Sequence, residues 1–119
     1  MSKLLVNLSS GAESLDKASV AFVVANAGLA GEQETAIFLS VEAVRLAQQG
    51  YANDLHTEGF KPMKELIETF VQGGGKLWVC PPCAGTRGVT EDNMIEGAVF
   101  AGGGALVEFL SQGAGSVSY

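Results

Sequence analysis

Short apolar runs recur along this chain and are separated by amphipathic stretches. The runs at residues 4–8, 35–39 and 76–79 are mostly continuous, which is typical of strands that are buried on both faces of a sheet. Weaker runs at residues 98–101 and 116–119 predict a fourth strand and a closing edge strand.

The stretches between these runs carry apolar residues at helical spacing. Gly28, Gly50 and the glycines at residues 73–75 mark the ends of three predicted helices. We predict helices that begin at Ser14 or Asp16, at Ser40, at Pro62 and at Ala105, and a short helical turn near Thr90.

Strands that alternate with helices predict an α/β fold with a mostly parallel sheet of about five strands. The 119 residues are enough for one domain, residues 1–119, with a substantial hydrophobic core. In such sheets, sites lie beyond the carboxyl ends of the strands, at a topological switch point. We therefore expect residues 9–10, residues 40–42 and the loop after Val79 to share one rim of the sheet.

Composition narrows the classes of function. Apolar residues make up 47% of the chain and charged residues 17%, and the net charge is −6. Nucleic acids and anionic membranes bind clustered Lys and Arg, so the acidic balance argues against both as partners. No apolar run approaches the roughly 20 residues that span a bilayer, and residues 1–8 lack the features of a signal peptide. We expect a cytoplasmic protein without membrane insertion.

The only two cysteines lie three positions apart, in Cys80-Pro81-Pro82-Cys83, directly after the third predicted strand. Cytoplasmic thiols are kept reduced, so such a pair indicates redox chemistry, sulfur handling or metal binding rather than a permanent disulfide. Pro81 favours an extended backbone at Cys80, which fits the last position of a strand. Arg87 follows Cys83 by four residues, and in a helical turn its guanidinium would approach the thiols and depress a thiol pKa.

Two other interpretations of the pair stay open. In one, Cys80 completes a buried strand and Cys83 only packs. In the other, the thiols bind zinc, which normally has four ligands; His56 is the only further soft ligand, so subunits would have to share the ion. We predict no metal and no cofactor. A thioredoxin-like site is disfavoured, because that motif follows an early strand and opens a long helix.

Other conspicuous residues have simpler explanations. The glycines at residues 102–104 lack the spacing of a phosphate-binding loop, so we expect close packing of a helix on a strand there. His56 lies in a polar stretch and is expected to be solvated or locally hydrogen-bonded. Glu42 suits the first turn of a helix, and Trp78 is expected in the core.

The stretch VCPPCAGTRG resembles the cysteine loop of the DsrE/TusD family of small sulfur-relay proteins, the DsrE/DsrF-like family. In that family a cysteine ends a strand and an arginine–glycine pair follows. Cys80 and Arg87-Gly88 match these positions at the family's spacing, and several small members also carry a second cysteine where Cys83 stands. The similarity covers the whole chain, including AFVVANAGLA, AIFLSVEAVRLA and IEGAVFAGGGALVEFL.

The resemblance implies a three-layer, flavodoxin-like domain that assembles as a trimer or hexamer, and the apolar composition also favours a homo-oligomer. Relay members carry sulfur as a persulfide on the cysteine that Cys80 matches. Cys80 is therefore the candidate carrier, Cys83 a candidate resolving thiol that forms a disulfide, and Arg87 an electrostatic support. Sulfur donor and acceptor proteins would be the partners.

Cys80, Cys83 and Arg87 are thus the predicted catalytic residues of a sulfur-handling protein. Two functions from other classes stay open. A small-ligand or partner-binding module without turnover would use the thiols only as a redox-sensitive latch, and its binding would survive their loss. A thiol–disulfide redox protein would cycle Cys80 and Cys83 between dithiol and disulfide.

Overall fold

A parallel sheet lies at the centre of the computed structural model, which describes residues 2–119. Its strands are β1 Lys3–Leu8, β2 Glu34–Leu39, β3 Lys76–Val79, β4 Ala98–Phe100 and β5 Gly115–Ser118. They pair side by side in the order β4-β3-β2-β1-β5, and every pair is parallel. All five predicted strands are confirmed, and their ends shift by no more than about one residue, the usual uncertainty of strand ends.

Helices and 3₁₀ turns connect these strands. The helices are α1 Leu15–Ala30, α2 Met63–Gln72, α3 Pro81–Gly85 and α4 Gly103–Ser111, and the 3₁₀ segments are Ala12–Ser14, Val41–Ala47 and Glu91–Asn93. The predicted turn near Thr90 is confirmed, and the Thr90 N–H donates to Asn93 Oδ1 at 2.8 Å in a reciprocal cap. The segment after Ser40 is a tighter 3₁₀ helix, and the Ser40 side chain does not cap it.

The winding of the chain produces three layers. Each step from β1 to β2, β3 and β4 moves in one direction across the sheet, so right-handed crossovers put their connections on one face. The step from β4 to β5 returns to the far side of β1, which puts α4 on the opposite face. The predicted three-layer, flavodoxin-like α/β fold is therefore confirmed. None of the helices within residues 2–119 is long and apolar enough to cross a bilayer.

The two faces of the sheet are covered unequally. On the face of α1 and α2, a large core surrounds Phe22 and Phe70, whose rings meet edge to face at 6.0 Å. On the other face α4 contributes Phe109, which meets Trp78 at 5.3 Å. Trp78 is half-buried rather than in the main core, because α4 covers its side of the sheet only in part. The prediction that Trp78 lies in the main core was therefore wrong.

Two expectations about glycines were wrong. Gly28 does not close α1, which continues to Ala30; a Cβ at Gly28 would lie 2.7 Å from Thr35 Oγ1 and 2.9 Å from Leu4 Cδ2. Glycine at this position therefore lets the helix approach β1 and β2 closely. The glycines at residues 102–104 begin α4 in open space, where an added Cβ would meet nothing within 4 Å. Close helix–strand packing does not explain them.

Candidate functional site

Cys80 lies at the junction between β3 and α3. Its N–H donates to the Leu39 carbonyl at 3.0 Å, which extends the pairing of β2 with β3 by one residue. Its own carbonyl accepts the Ala84 N–H at 3.0 Å, the bond that closes the first turn of α3. The extended backbone at Cys80 is the one that a following proline favours. Pro81 and Pro82 begin α3. Proline is tolerated there because the N–H groups of a helix's first turn have no partner within the helix.

The thiols of Cys80 and Cys83 are free and partly buried, and they lie close enough for each to shift the pKa of the other. The backbone N–H of Val41 lowers the pKa of the Cys83 thiol; the Cys80 thiol and the charge of Arg87 act in the same direction. Burial raises the pKa of the Cys80 thiol and the Cys83 thiol raises it further, whereas the backbone N–H of Cys83 lowers it by less. The pKa of the Cys83 thiol is therefore shifted below its ordinary value, and that of the Cys80 thiol above it.

Val41 has an unusual backbone conformation. It follows β2 with φ at 52°, in the left-handed region that β-branched residues rarely occupy. Its side chain is 47% exposed, so burial of the valine does not explain this conformation. Such backbone costs on the order of 1–3 kcal/mol and concentrates at functional sites. Here it turns the chain after β2 and brings the N–H of Val41 near enough to the Cys83 thiol to lower its pKa.

Arg87 is fixed beside Cys83 by a carboxylate on the neighbouring segment. Glu42 accepts Arg87 Nε at 3.0 Å on one oxygen and Arg45 Nε at 2.8 Å on the other. Arg87 Nη1 also donates to the Cys83 carbonyl at 3.2 Å. The hydrogen bond from Arg87, and then that from Arg45, lowers the pKa of Glu42, so this carboxylate is ionised at neutral pH. Gly88 follows at φ 71°, a conformation that glycine adopts without strain.

The three segments that were expected to share a rim follow the carboxyl ends of β1, β2 and β3. A Cβ on Gly11, in the turn after β1, would lie 3.0 Å from the carbonyl oxygen of Glu42. The Ser9 hydroxyl points elsewhere in this rim and donates to the Tyr119 carbonyl at 3.3 Å. The winding reverses between β1 and β5, whereas the cysteines follow β3. The site is therefore at the carboxyl edge but not at the topological switch point.

The remaining candidates lie apart from the cysteines. His56 is exposed, and its Nε2 is 2.7 Å from the Phe60 carbonyl, a local contact as expected. Within residues 2–119, no cluster of three His, Cys, Asp or Glu side chains is arranged to hold a metal ion. A cavity of about 550 Å³ lies between the Leu46–Asn53 region, α2 and Ile95, and Cys80, Cys83 and Arg87 do not line it.

Fold and site together define a class of protein: a three-layer, all-parallel α/β domain with two free cysteines directly after its third strand. The DsrE/DsrF-like family model matches residues 2–118, and the chain belongs to this family.

Relatives extend over most or all of the chain. The uncharacterized protein MJ0760 of Methanocaldococcus jannaschii is 27% identical over 92% of this chain, which spans only 40% of that protein's length. The uncharacterized protein MK0008 of Methanopyrus kandleri is 29% identical in a region that covers 82% of this chain and 77% of that protein's length. The crystal structure of the ychN protein from E. coli matches with a TM-score of 0.83 and 17% identity over the full length of both chains, a likeness of fold.

Proposed function

We propose that this protein handles sulfur in the cytoplasm, carrying sulfane sulfur as a persulfide on Cys80 with Cys83 as the resolving thiol. The observation that carries the proposal is the pair of free, partly buried cysteines one turn apart at the start of α3, with Arg87 held on the Cys83 carbonyl. A sulfur carrier needs a thiolate that attacks and a neighbouring thiol that can release what is bound. Membership of the DsrE/DsrF-like family supports this chemistry.

The pair allows a balanced resolving step. With sulfur bound as Cys80–S–SH, the Cys83 thiolate attacks the inner sulfur, the Cys80–Cys83 disulfide forms, and hydrosulfide leaves with the electron pair of the broken bond. A dithiol reductant then returns both cysteines to thiols. When an acceptor thiolate attacks the outer sulfur instead, the acceptor gains the persulfide and the pair stays reduced. The same pair suits a thiol–disulfide redox protein, which is the second candidate.

The test is the intact mass of the protein after incubation with glutathione persulfide. We expect the wild type to gain one sulfur atom, and the variant with both Cys80→Ser and Cys83→Ser to gain none. A wild type that instead loses two hydrogens and retains no sulfur would favour the redox candidate. An unchanged wild-type mass would contradict both functions and favour a binding module.

We also propose that the chain forms a homo-oligomer, a trimer or a hexamer, through the face that α4 covers only in part. Val99 pairs with Trp78 and so shares that face, and Val99 is 52% exposed. Val107 and Leu110 lie one turn apart on α4, and Val107 is 68% exposed. Exposed apolar side chains in one region are typical of subunit interfaces. A second copy, with the same apolar surface, fits this face better than a charged partner.

Val107→Glu is expected to lower the sedimentation mass at micromolar concentration from that of an oligomer to that of a single chain, because the carboxylate would be desolvated at the interface. Val23→Glu on α1 is the matched control, since Val23 is also an exposed valine on a helix but belongs to the opposite layer. We expect Val23→Glu to sediment as the wild type does. A wild type that sediments as a single chain would contradict the proposed assembly.

A further inference from the structure

The helix that carries the cysteines, α3, is too short to be stable without help from the rest of the fold. It has five residues, Pro81–Gly85, and isolated helices shorter than roughly 12–15 residues are marginal in water. Cys80 directly precedes its first residue and Cys83 is its third, so the two side chains lie one turn apart. The separation of the two sulfurs therefore depends on the groups that hold this turn.

The carbonyl of Cys83 is held by side chains rather than by a helical N–H. In a longer helix it would accept the Arg87 N–H, but that group donates to the Ala84 carbonyl at 3.0 Å. Instead, the Cys83 carbonyl accepts Thr86 Oγ1 at 3.2 Å and Arg87 Nη1 at 3.2 Å. The last carbonyls of a helix lack partners within it, and a basic side chain often binds them. Arg87 thus closes the end of the cysteine turn.

Arg87 is in turn held by two residues of the segment after β2. Glu42 accepts Arg87 Nε at 3.0 Å on one carboxylate oxygen and Arg45 Nε at 2.8 Å on the other. Arg45 Nη1 also donates to the backbone carbonyl of Arg87 at 3.4 Å. All three side chains are half-buried, and Glu42 is the one that binds both guanidinium groups. Its carboxylate therefore fixes the direction in which Arg87 points.

We propose that Glu42 is a positioning residue of the sulfur site, which acts through Arg87 to hold the cysteine turn so that Cys83 reaches sulfur bound on Cys80. The inference rests on the proposed function and gives Glu42 a part in its resolving step. In that step the Cys83 thiolate attacks the inner sulfur of Cys80–S–SH, the disulfide forms, and hydrosulfide leaves with the electron pair. A reaction between two groups of one chain depends steeply on their placement, and a misplacement of 1 Å can cost about 100-fold.

The test is the effective concentration of the two thiols in Glu42→Ala, measured in buffers of reduced and oxidised glutathione. Oxidised glutathione takes two electrons and two protons from the thiols, which yields the protein disulfide and two reduced glutathiones, and intact mass after alkylation counts both protein forms. We expect the effective concentration to fall about tenfold in Glu42→Ala. Hydrosulfide release from protein loaded with glutathione persulfide should slow by a similar factor, whereas sulfur uptake, which needs one thiol, should change less.

Two further variants isolate the role of Glu42. Glu34→Ala is the matched control, because Glu34 also lies near two cations, Lys3 at 2.9 Å and Lys76 at 4.0 Å, but at the amino end of β2. Its side chain is exposed to a similar extent, 32% against 36% for Glu42, and we expect wild-type behaviour. Arg87→Met removes the donors, so adding Glu42→Ala to it should lower the effective concentration little further.

The outcomes separate this role from the proposed function. If Glu42→Ala keeps the wild-type effective concentration, or if its effect adds fully to that of Arg87→Met, the positioning role is wrong and the function stands. If the wild type gains no sulfur, the function is wrong and the part of Glu42 in the resolving step with it, although the glutathione equilibrium still shows whether Glu42 holds the pair. Circular dichroism of each reduced variant verifies that the values refer to folded protein.

Discussion

Val41→Pro is expected to slow the alkylation of Cys83 by iodoacetamide about tenfold at neutral pH, in protein that also carries Cys80→Ser. Proline removes the N–H that lowers the pKa of the Cys83 thiol, and it cannot adopt the φ of 52° found here. A hydrogen bond to a charged group contributes about 1.5–3 kcal/mol, and the partial exposure of Cys83 favours the lower end of that range. The fraction of thiolate, and with it the alkylation rate, should fall accordingly.

Val41→Gly is the matched control. It retains the N–H and adopts positive φ without strain, so we expect rapid alkylation of Cys83 to persist. The valine side chain is 47% exposed, so its removal costs little burial. Equal alkylation rates in a folded Val41→Pro variant and in Val41→Gly would show that the Val41 N–H does not support the thiolate.

Phe70→Ala is expected to lower the free energy of unfolding by about 3–5 kcal/mol, as for other fully buried phenylalanines. Phe70 is 0% exposed, and its ring meets Phe22 edge to face. It also lies on Gly75, where an added Cβ would overlap the ring. The backbone at Gly75 cannot fill the space that the ring vacates, so a cavity should remain between α2 and the sheet.

Urea unfolding monitored by circular dichroism measures this loss. Phe100→Ala is the control, because Phe100 is 39% exposed at the end of β4 and the same atoms are removed. We expect a much smaller loss for Phe100→Ala. A similar loss for the two variants would mean that the packing around Phe70 does not dominate the core.

The elements of this fold were predictable because its first three strands, β1 to β3, are largely buried. Continuous apolar runs such as residues 35–39 have no other common explanation in an α/β chain, and the strand β2 lies there. The position of Cys80 at the end of β3 followed from Pro81, which restricts the preceding backbone. Arg87 was expected near the thiols from its spacing, and it reaches the Cys83 carbonyl.

Long-range features were not predictable from local pattern. The strand order depends on which strands meet in space, and the reversal between β1 and β5 leaves no local signal. Gly28 was interpreted as a helix end because its real constraint, the approach of Thr35 and Leu4, comes from other strands. The lowered pKa of the Cys83 thiol depends first on Val41, a residue type that gives no sign of a left-handed backbone.

The position of Glu42 was predictable from the sequence, but its ion pairs were not. Glu42 lies in the first turn after β2, as expected. The sequence could not predict that Glu42 bridges Arg45 and Arg87, because Arg87 is distant in the sequence and comes close only through the pairing of β2 with β3. Only the folded chain brings this carboxylate to the cation beside Cys83.

The fate of sulfur on the wild-type protein is the most direct test of the proposed carrier function. The protein would be loaded with glutathione persulfide, freed of excess donor and mapped by fragmentation mass spectrometry, then treated with an acceptor thiol. We expect one added sulfur on Cys80, which leaves as the acceptor's persulfide while the protein returns to its original reduced mass. A protein that takes up no sulfur, or that holds it on neither cysteine, would contradict a carrier at this loop.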